Sequence, residues 1–450
     1  MHSYRIGISL KSLAITAIVA LLTLAMVFTN VSVAQIYPSI EFDNNIAANI
    51  FTGHLDWETI YGGASDDRAL YTLPLDSGFL VVGSTKSQSD ATEGWALLLN
   101  SDGALVWNRT YLEGAGTELR YAMSLPDGFL LVGNQLQASD VNGYIAKTDF
   151  DGKIVWTKIV GGANIDKLFG GVVDSDGVAV FGLTFPEGNS EKSAGWVVKL
   201  DANGQVVWQN TYGVDADTTL RCAVYTGDGY AAAGYTDPAG EDNYDFYLLK
   251  IAPDGTEQWT RTYGGADSEK AYSMTTAQDG YVLAGESHNV QTDADAWVVK
   301  VDFDGKLLWS KSVGGANADS ASCVIPAKDG GFLACGFTFS FGAGQRDFWL
   351  FKISPEGQVL FSCALGNEAF QEAYGMVDLG GDEYFLTGWT DPAGKPELIG
   401  KATYDFWIVK ISLSQQTSFP NQYLIAIAAV VFVAVLATVF VRKRKTKIEK

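Results

Sequence analysis

Histidine is nearly missing from this chain of 450 residues: His2, His54 and His288 are the only three, and two of them precede the regular part of the sequence. Chemistry that needs clustered imidazoles, such as His-rich zinc sites, Ser-His-Asp triads and Cys-His dyads, therefore has no material. Basic charge is also scarce. Lys and Arg total 31 against 52 Asp and Glu. Setting aside Arg5 and Lys11 at the start, and six bases with Glu449 in residues 442–450, leaves 31 − 8 = 23 basic and 52 − 1 = 51 acidic residues between 35 and 441. A body with a net charge of −28 repels phosphate backbones, which excludes nucleic acid as a partner. Proline is sparse at 11, whereas glycine reaches 49 and aromatics 56, the composition of a turn-rich β protein with a large core rather than a disordered chain. The length suits two or three domains, or one large repeat array.

Long apolar runs are confined to the ends. Residues 1–34 carry Arg5 and Lys11, then an apolar stretch over 13–28, then Ser32-Val33-Ala34 with small residues where a signal peptidase cuts. The expectation is a secretion signal; an uncleaved anchor is the alternative, but a run this short is meagre for a span. Residues 424–441 are apolar but for Thr438 and are closed by Arg442-Lys443-Arg444-Lys445. That is long enough to cross a bilayer, and basic flanks stay cytoplasmic. The predicted organisation is a signal peptide at 1–34, a lead-in at 35–52, the body at 53–411, a stalk at 412–422, a transmembrane helix at 423–441 and a basic cytoplasmic tail at 442–450. The body then faces outward, at the cell membrane. Recognition of anionic lipid heads by the basic run is the competing reading.

The body is a sevenfold repeat. Trp57, Trp107, Trp156, Trp208, Trp259, Trp309 and Phe361 recur at spacings of 50, 49, 52, 51, 50 and 52. Trp95, Tyr144, Trp196, Tyr247, Trp297, Trp349 and Trp407 keep the same step except for a final 58, and Gly-aromatic-x-x-x-Gly recurs in register, as at Gly280-Tyr281 to Gly285. Each unit holds four short apolar segments, 258–263, 271–276, 281–286 and 296–301 in the fifth copy. They are rich in aromatic and β-branched residues and separated by Gly, Asp and Asn, so they read as strands. Seven four-stranded units predict an all-β, seven-bladed β-propeller, with a linear solenoid as the alternative. Asp102-Gly103, Asp151-Gly152, Asn203-Gly204, Asp254-Gly255, Asp304-Gly305 and Glu356-Gly357 are tight-hairpin dipeptides. A two-residue turn joins only neighbouring strands, so the Trp strand is the outermost of the blade before it. The innermost strand is the one with small residues, such as Ala271 and Ser273. The last blade then lacks an outer strand and the N-terminal Trp57 strand must supply it, closing the ring.

The run from Trp259 through Tyr263-Gly264-Gly265-Ala266 and Asp279-Gly280-Tyr281 to Trp297-Val298-Val299-Lys300-Val301-Asp302-Phe303-Asp304-Gly305 resembles the secreted β-propeller repeats of archaeal and bacterial surface proteins. It also looks like the Trp-containing blades of quinoprotein-type propellers. The resemblance covers about 355 residues and implies architecture; such propellers bind, adhere, scaffold or catalyse. The quinone enzymes have eight blades and dedicated ligands that find no match here, so the resemblance transfers no cofactor, no metal and no catalytic residue.

Within the repeat, Asp149-Phe150-Asp151-Gly152 and Asp302-Phe303-Asp304-Gly305 resemble fragments of calcium loops but offer too few oxygens, and hairpin turns explain them. Lys147, Lys199, Lys250, Lys300, Lys352 and Lys410 recur in six of seven copies and read as architectural ion pairs with acids at the start of the inner strands, such as Asp166, Asp217 or Asp319. Cys222, Cys323, Cys335 and Cys363 are expected as buried thiols, although Cys323 and Cys335 lie across one hairpin and are placed to pair. Function is sought where the symmetry breaks. Trp389 alone lies outside both Trp series, before the longest insertion, 391–404. Equivalent loops carry Phe185, Tyr235 with Asp237, His288, and Phe337, Phe339 and Phe341, all on the face of the blade-to-blade crossings. Exposed aromatics ringed by carboxylates suit stacking on sugars or capping of a peptide. The expected site is therefore Trp389, Asp391, Tyr235, Asp237, His288 and Phe339, in a membrane-anchored recognition or adhesion module for an extracellular carbohydrate or protein partner. The rivals are an envelope element without a ligand and a polysaccharide-degrading enzyme, for which Asp237, Asp293, Asp347 and Asp391 are the available carboxylates.

Overall fold

In a computed structural model the described residues are 39–42 and 51–415, apart from 138–139, 187–190, 290–292, 344, 368 and 392–403. The expected signal peptide, transmembrane helix and basic tail lie outside them. Among the described residues no helix is long and apolar enough to cross a membrane.

The chain folds as a seven-bladed propeller of antiparallel four-stranded sheets. Blade 4 shows the pattern, with an inner strand Asp217–Tyr225, then Tyr230–Asp237, Asp245–Ile251 and an outer strand Glu257–Tyr263. The second strand of each blade is apolar on both faces, as in Gly78–Thr85, where every residue is buried, because it lies between two sheet partners and two neighbouring blades. Outer strands are largely exposed to water, as in Val206–Tyr212. The blade 6 outer strand, Val359–Gly366, is the exception and is mostly buried. Its apolar sequence is covered by a fifth strand, Ser39–Phe42, paired from Ser39↔Gly366 to Phe42↔Cys363.

The ring closes as the sequence requires. Phe51–Tyr61 is the outer strand of blade 7, with Trp57 opposite Lys410 and Ile60 opposite Trp407. Phe79 of blade 1 stacks on Phe385 of blade 7 at 3.9 Å between ring centroids, and Trp95 meets Phe406 at 4.5 Å. The core is a set of such layers between blades rather than one centre. The third strand of blade 7 runs on to Gln415, past the expected boundary at 411.

The Trp series is explained by the seam between blades. Trp107, Trp208 and Trp309 donate their indole N–H to the carbonyls of Phe150, Pro253 and Pro355, each in the turn of the following blade. Each ring lies against that turn's glycine, Gly152, Gly255 or Gly357, all at positive φ. The turns themselves are held by their first polar residue. Asp149 Oδ1 accepts from the backbone N–H of Asp151 and Lys153, and Asp302 Oδ1 from that of Asp304 and Lys306. The hairpin reading of these segments is therefore the one that describes them.

The lysine series needs a correction. Lys147, Lys199, Lys250, Lys300, Lys352 and Lys410 pair with Asp127, Asp174, Asp228, Asp279, Asp329 and Glu383, at 2.5–2.9 Å. These acids sit at the turn after the inner strand, not at its start. The third strand runs parallel to the first, so a lysine late in the third strand reaches the far end of the first. The acids at the start of the inner strands instead hold the crossing loop. Asp67, Asp166, Glu269 and Asp319 accept from the N–H of Gly63, Gly162, Gly265 and Gly315.

Candidate functional site

Each inner strand carries a β-bulge at the same place, and that of blade 7 has a second irregularity between Asp378 and Gly380. The register slips by one residue, leaving Leu70, Arg120, Phe169, Arg221, Tyr272, Ser322 and Tyr374 unopposed on the second strand. A bulge re-aims its extra side chain, and here all seven line one axial funnel, a cavity of about 570 Å³. Its mouth is on the face of the crossings and the loops after the second strands, whose Phe337, Arg346, Trp389 and Tyr404 complete the wall. Below the bulges lie Tyr71 and Tyr121, 4.0 Å apart, with Cys222, Ser273 and Cys323.

Arginine is concentrated here. The region 53–411 holds six, Arg68, Arg109, Arg120, Arg221, Arg261 and Arg346, and four of them line the funnel. Guanidinium stays charged throughout the accessible pH range and stacks well on aromatic faces. Arg120 and Arg221 lie 5.8 Å and 4.2 Å from the Phe169 ring, and Arg221 lies 5.6 Å from Tyr272. Arg346 lies 3.7 Å from Phe337 and 5.6 Å from Trp389, while Arg68 lies 4.7 Å from Tyr404 and 5.9 Å from Trp389.

Carboxylates answer three of the four. Arg346 pairs with the buried Glu372 at 2.9 Å, Arg120 with Glu118 at 2.9 Å and Arg68 with Asp66 at 3.9 Å. Arg221 has no carboxylate within 4.0 Å among the described residues, and its Nε is buried without a hydrogen-bond partner. Burial raises the Glu372 carboxyl, with Arg346 opposing the shift. The Tyr272 hydroxyl donates to Glu286 at 2.6 Å, and burial, then the Glu286 charge, raises this phenol far above its ordinary range. Cys222 is pushed up to about 12 by burial, so this thiol is neutral.

The residues singled out from sequence are not gathered in one place. Trp389 does line the funnel, but it is 5% exposed rather than a free stacking platform, packed 4.2 Å from Tyr404. Phe339 is edge-on to Phe337 at 5.8 Å and 5.7 Å from Arg346. His288 is exposed at the rim, 3.4 Å from Glu286. Tyr235 packs on Tyr244 at 5.3 Å. Asp237 is 2% exposed and accepts from the N–H of Gly240 and Asp242, so it caps its own loop. The Asp391 N–H donates to the Phe370 carbonyl, and burial raises its carboxyl; the rest of the insertion, 392–403, is outside the described residues. Asp347 is wholly buried and Asp293 is exposed at a loop end with φ 67°. None of the four candidate aspartates lines the funnel, whose carboxylates are Glu286 and Glu372.

Sequence reasoning missed the arginines and the bulge ring. A signal was present: each bulge residue follows a member of the Trp series by thirteen, from Trp57 to Leu70 through Phe361 to Tyr374. The series escapes notice because its residue types do not repeat.

No known family profile matches the chain, and no curated protein does. Among solved structures it is similar to puromycin hydrolase, at 14% identity and TM-score 0.49, over 73% of this chain and 51% of that one. It is also similar to a candidate 6-phosphogluconolactonase from Bacteroides fragilis, at 11% and 0.47, over 71% and 92%, and to Sqt1 from Chaetomium thermophilum, at 10% and 0.43, over 75% and 97%. Likenesses this remote carry no argument about what the funnel does.

Proposed function

We propose that this chain is an extracellular recognition module, tethered by its C-terminal apolar segment, that takes part of a surface carbohydrate or protein into the axial funnel. One observation carries the reading. The scaffold repeats sevenfold, yet the seven positions that the bulges turn into the funnel hold Leu, Arg, Phe, Arg, Tyr, Ser and Tyr. Packing alone asks every blade for the same residue at the same place; a lining that varies while its frame does not is adapted to something asymmetric. A concave cavity of this size, with aromatic walls and charged groups converging on it, has room for a small ligand or the end of a larger one.

The test is binding of the full chain, in detergent micelles, to arrays of surface glycans and envelope extracts, with Tyr374→Ala and Tyr235→Ala in parallel. The funnel reading expects at least a tenfold loss in Tyr374→Ala at an unchanged melting temperature, and no loss in Tyr235→Ala. The reverse pattern places the site on the outer loops, and no retained ligand on any surface speaks for a purely structural envelope role.

A further inference from the structure

We infer that the group recognised in the funnel is a carboxylate carried on a sugar ring, a uronic acid, and that Arg221 is its anchor. The inference rests on the funnel being the binding site and adds the chemistry of what enters it.

Arg221 is the guanidinium left open. Its three counterparts in the funnel are already matched with Glu372, Glu118 and Asp66, whereas Arg221 is fixed by Phe169 at 4.2 Å and Tyr272 at 5.6 Å; like Arg346 it has a buried Nε with no partner, but unlike Arg346 it has no carboxylate within 4.0 Å among the described residues. A buried donor left unmatched costs stability, and here the missing acceptor is supplied by a ligand. The planar fork of a guanidinium fits a carboxylate with two parallel hydrogen bonds. Arg120 also lies against Phe169, at 5.8 Å, with its own charge matched by Glu118.

Placement in the whole molecule sharpens this. In a body with 23 basic and 51 acidic residues, four of six propeller arginines converge on one cavity, and because three of them are matched by carboxylates, Arg221 is the one whose charge is open to an entering anion. One unmatched guanidinium balances a singly charged carboxylate, whereas a doubly charged phosphate leaves a second buried charge uncompensated. The remaining wall suits a sugar ring: hydroxyls and a carboxylate at Ser322, Tyr374 and Glu286 line the cavity and can meet ring hydroxyls.

The experiment is calorimetric titration of the full chain in detergent micelles with sodium D-glucuronate, D-glucose and inorganic phosphate at matched ionic strength. Variants are Arg221→Gln, Arg221→Lys and, as a control on an outer strand, Arg261→Gln. Expected results are saturable binding of glucuronate, at least tenfold weaker binding of glucose and phosphate, at least a tenfold loss in Arg221→Gln, a smaller loss in Arg221→Lys and none in Arg261→Gln. Matching melting temperatures for the two Arg221 variants show that folding is not the cause. The inference is overturned if glucuronate fails to bind, if glucose or phosphate binds as well, or if Arg221→Gln binds like the parent. An array ligand lost in Tyr374→Ala but indifferent to Arg221→Gln overturns the uronate and leaves funnel recognition standing.

Discussion

Trp208 on the outer strand of blade 4's predecessor donates its indole N–H to the Pro253 carbonyl at 3.1 Å and lies against Gly255 two residues further on. One residue thus latches two blades; the indole bond recurs at Trp107 and Trp309, and Trp57, Trp156 and Trp259 pack on the corresponding glycines, which is why tryptophan returns at six of the seven steps of the repeat.

A latch of this kind sets a graded cost for glycine substitution. Gly255 has φ 86°, and a Cβ there meets Asn210 Nδ2 at 2.6 Å and Trp208 at 3.0 Å; Gly227 has φ 82° with nothing within 4 Å; Gly265 has neither constraint. Gly227→Ala is expected to cost about 1–2 kcal/mol from the left-handed backbone alone. Gly255→Ala costs more, because it also displaces the latch, and Gly265→Ala is near neutral. Urea unfolding midpoints rank the three.

Repetition of the lysine pairs hides a difference in burial. Lys199 and Asp174 are 6% and 5% exposed, with the Tyr230 hydroxyl also donating to Asp174, whereas Asp127 beside Lys147 is 66% exposed. Lys199→Met leaves a buried charge and is expected to cost about 3–5 kcal/mol. Lys147→Met costs under about 1 kcal/mol. Denaturant titration of both variants reads the contrast directly.

Stability is expected to peak on the acid side of neutrality. Burial raises the carboxyls of Glu372, Glu269 and Asp319, so the folded state takes up protons before the unfolded chain does, and stability grows as pH falls from 7 toward about 5. Hydrogen bonds from Lys250, Lys300 and Lys352 lower Asp228, Asp279 and Asp329, and at Asp174 the bonds from Lys199 and Tyr230 outweigh burial. These groups stabilise the fold above the ordinary carboxylate range, and that contribution is lost below about pH 4. A melting temperature that rises monotonically with pH from 4 to 7 contradicts this assignment.

All four cysteines are unbonded, with Cys323 directly opposite Cys335 across the first hairpin of blade 6. Burial pushes the Cys222 and Cys363 thiols up to about 12, which keeps them protonated and unreactive. Denatured, unreduced protein is expected to titrate four thiols. A count of two, restored to four by reductant, assigns an oxidised Cys323–Cys335 pair.

Blade number, strand order and circular closure were legible in the sequence because they follow from local physics repeated seven times. The Asp-Gly and Asn-Gly turns admit only neighbouring strands, apolar segments of about six residues fix strand length, and an unpaired Trp57 strand at one end meets a blade short of one strand at the other. Trp389 was legible as an exception to symmetry. Its burial between Tyr404 and the two arginines was not, because its neighbours come from blades 1, 6 and 7. The partners of the lysine series went astray for a related reason: spacing says that lysines and acids recur together, but only strand direction says which end of the inner strand they reach.

What the sequence determined by itself is the frame: a turn chemistry, a strand length and a count, each encoded within a few residues. What only the tertiary structure decided is the lining. A bulge shifts the two-residue alternation that tells inward from outward side chains, and ring closure brings residues some fifty positions apart onto one axis. Arg120, Phe169 and Arg221 look unrelated along the chain; they become one cation–aromatic–cation arrangement because three successive blades turn the same bulge position toward the same cavity.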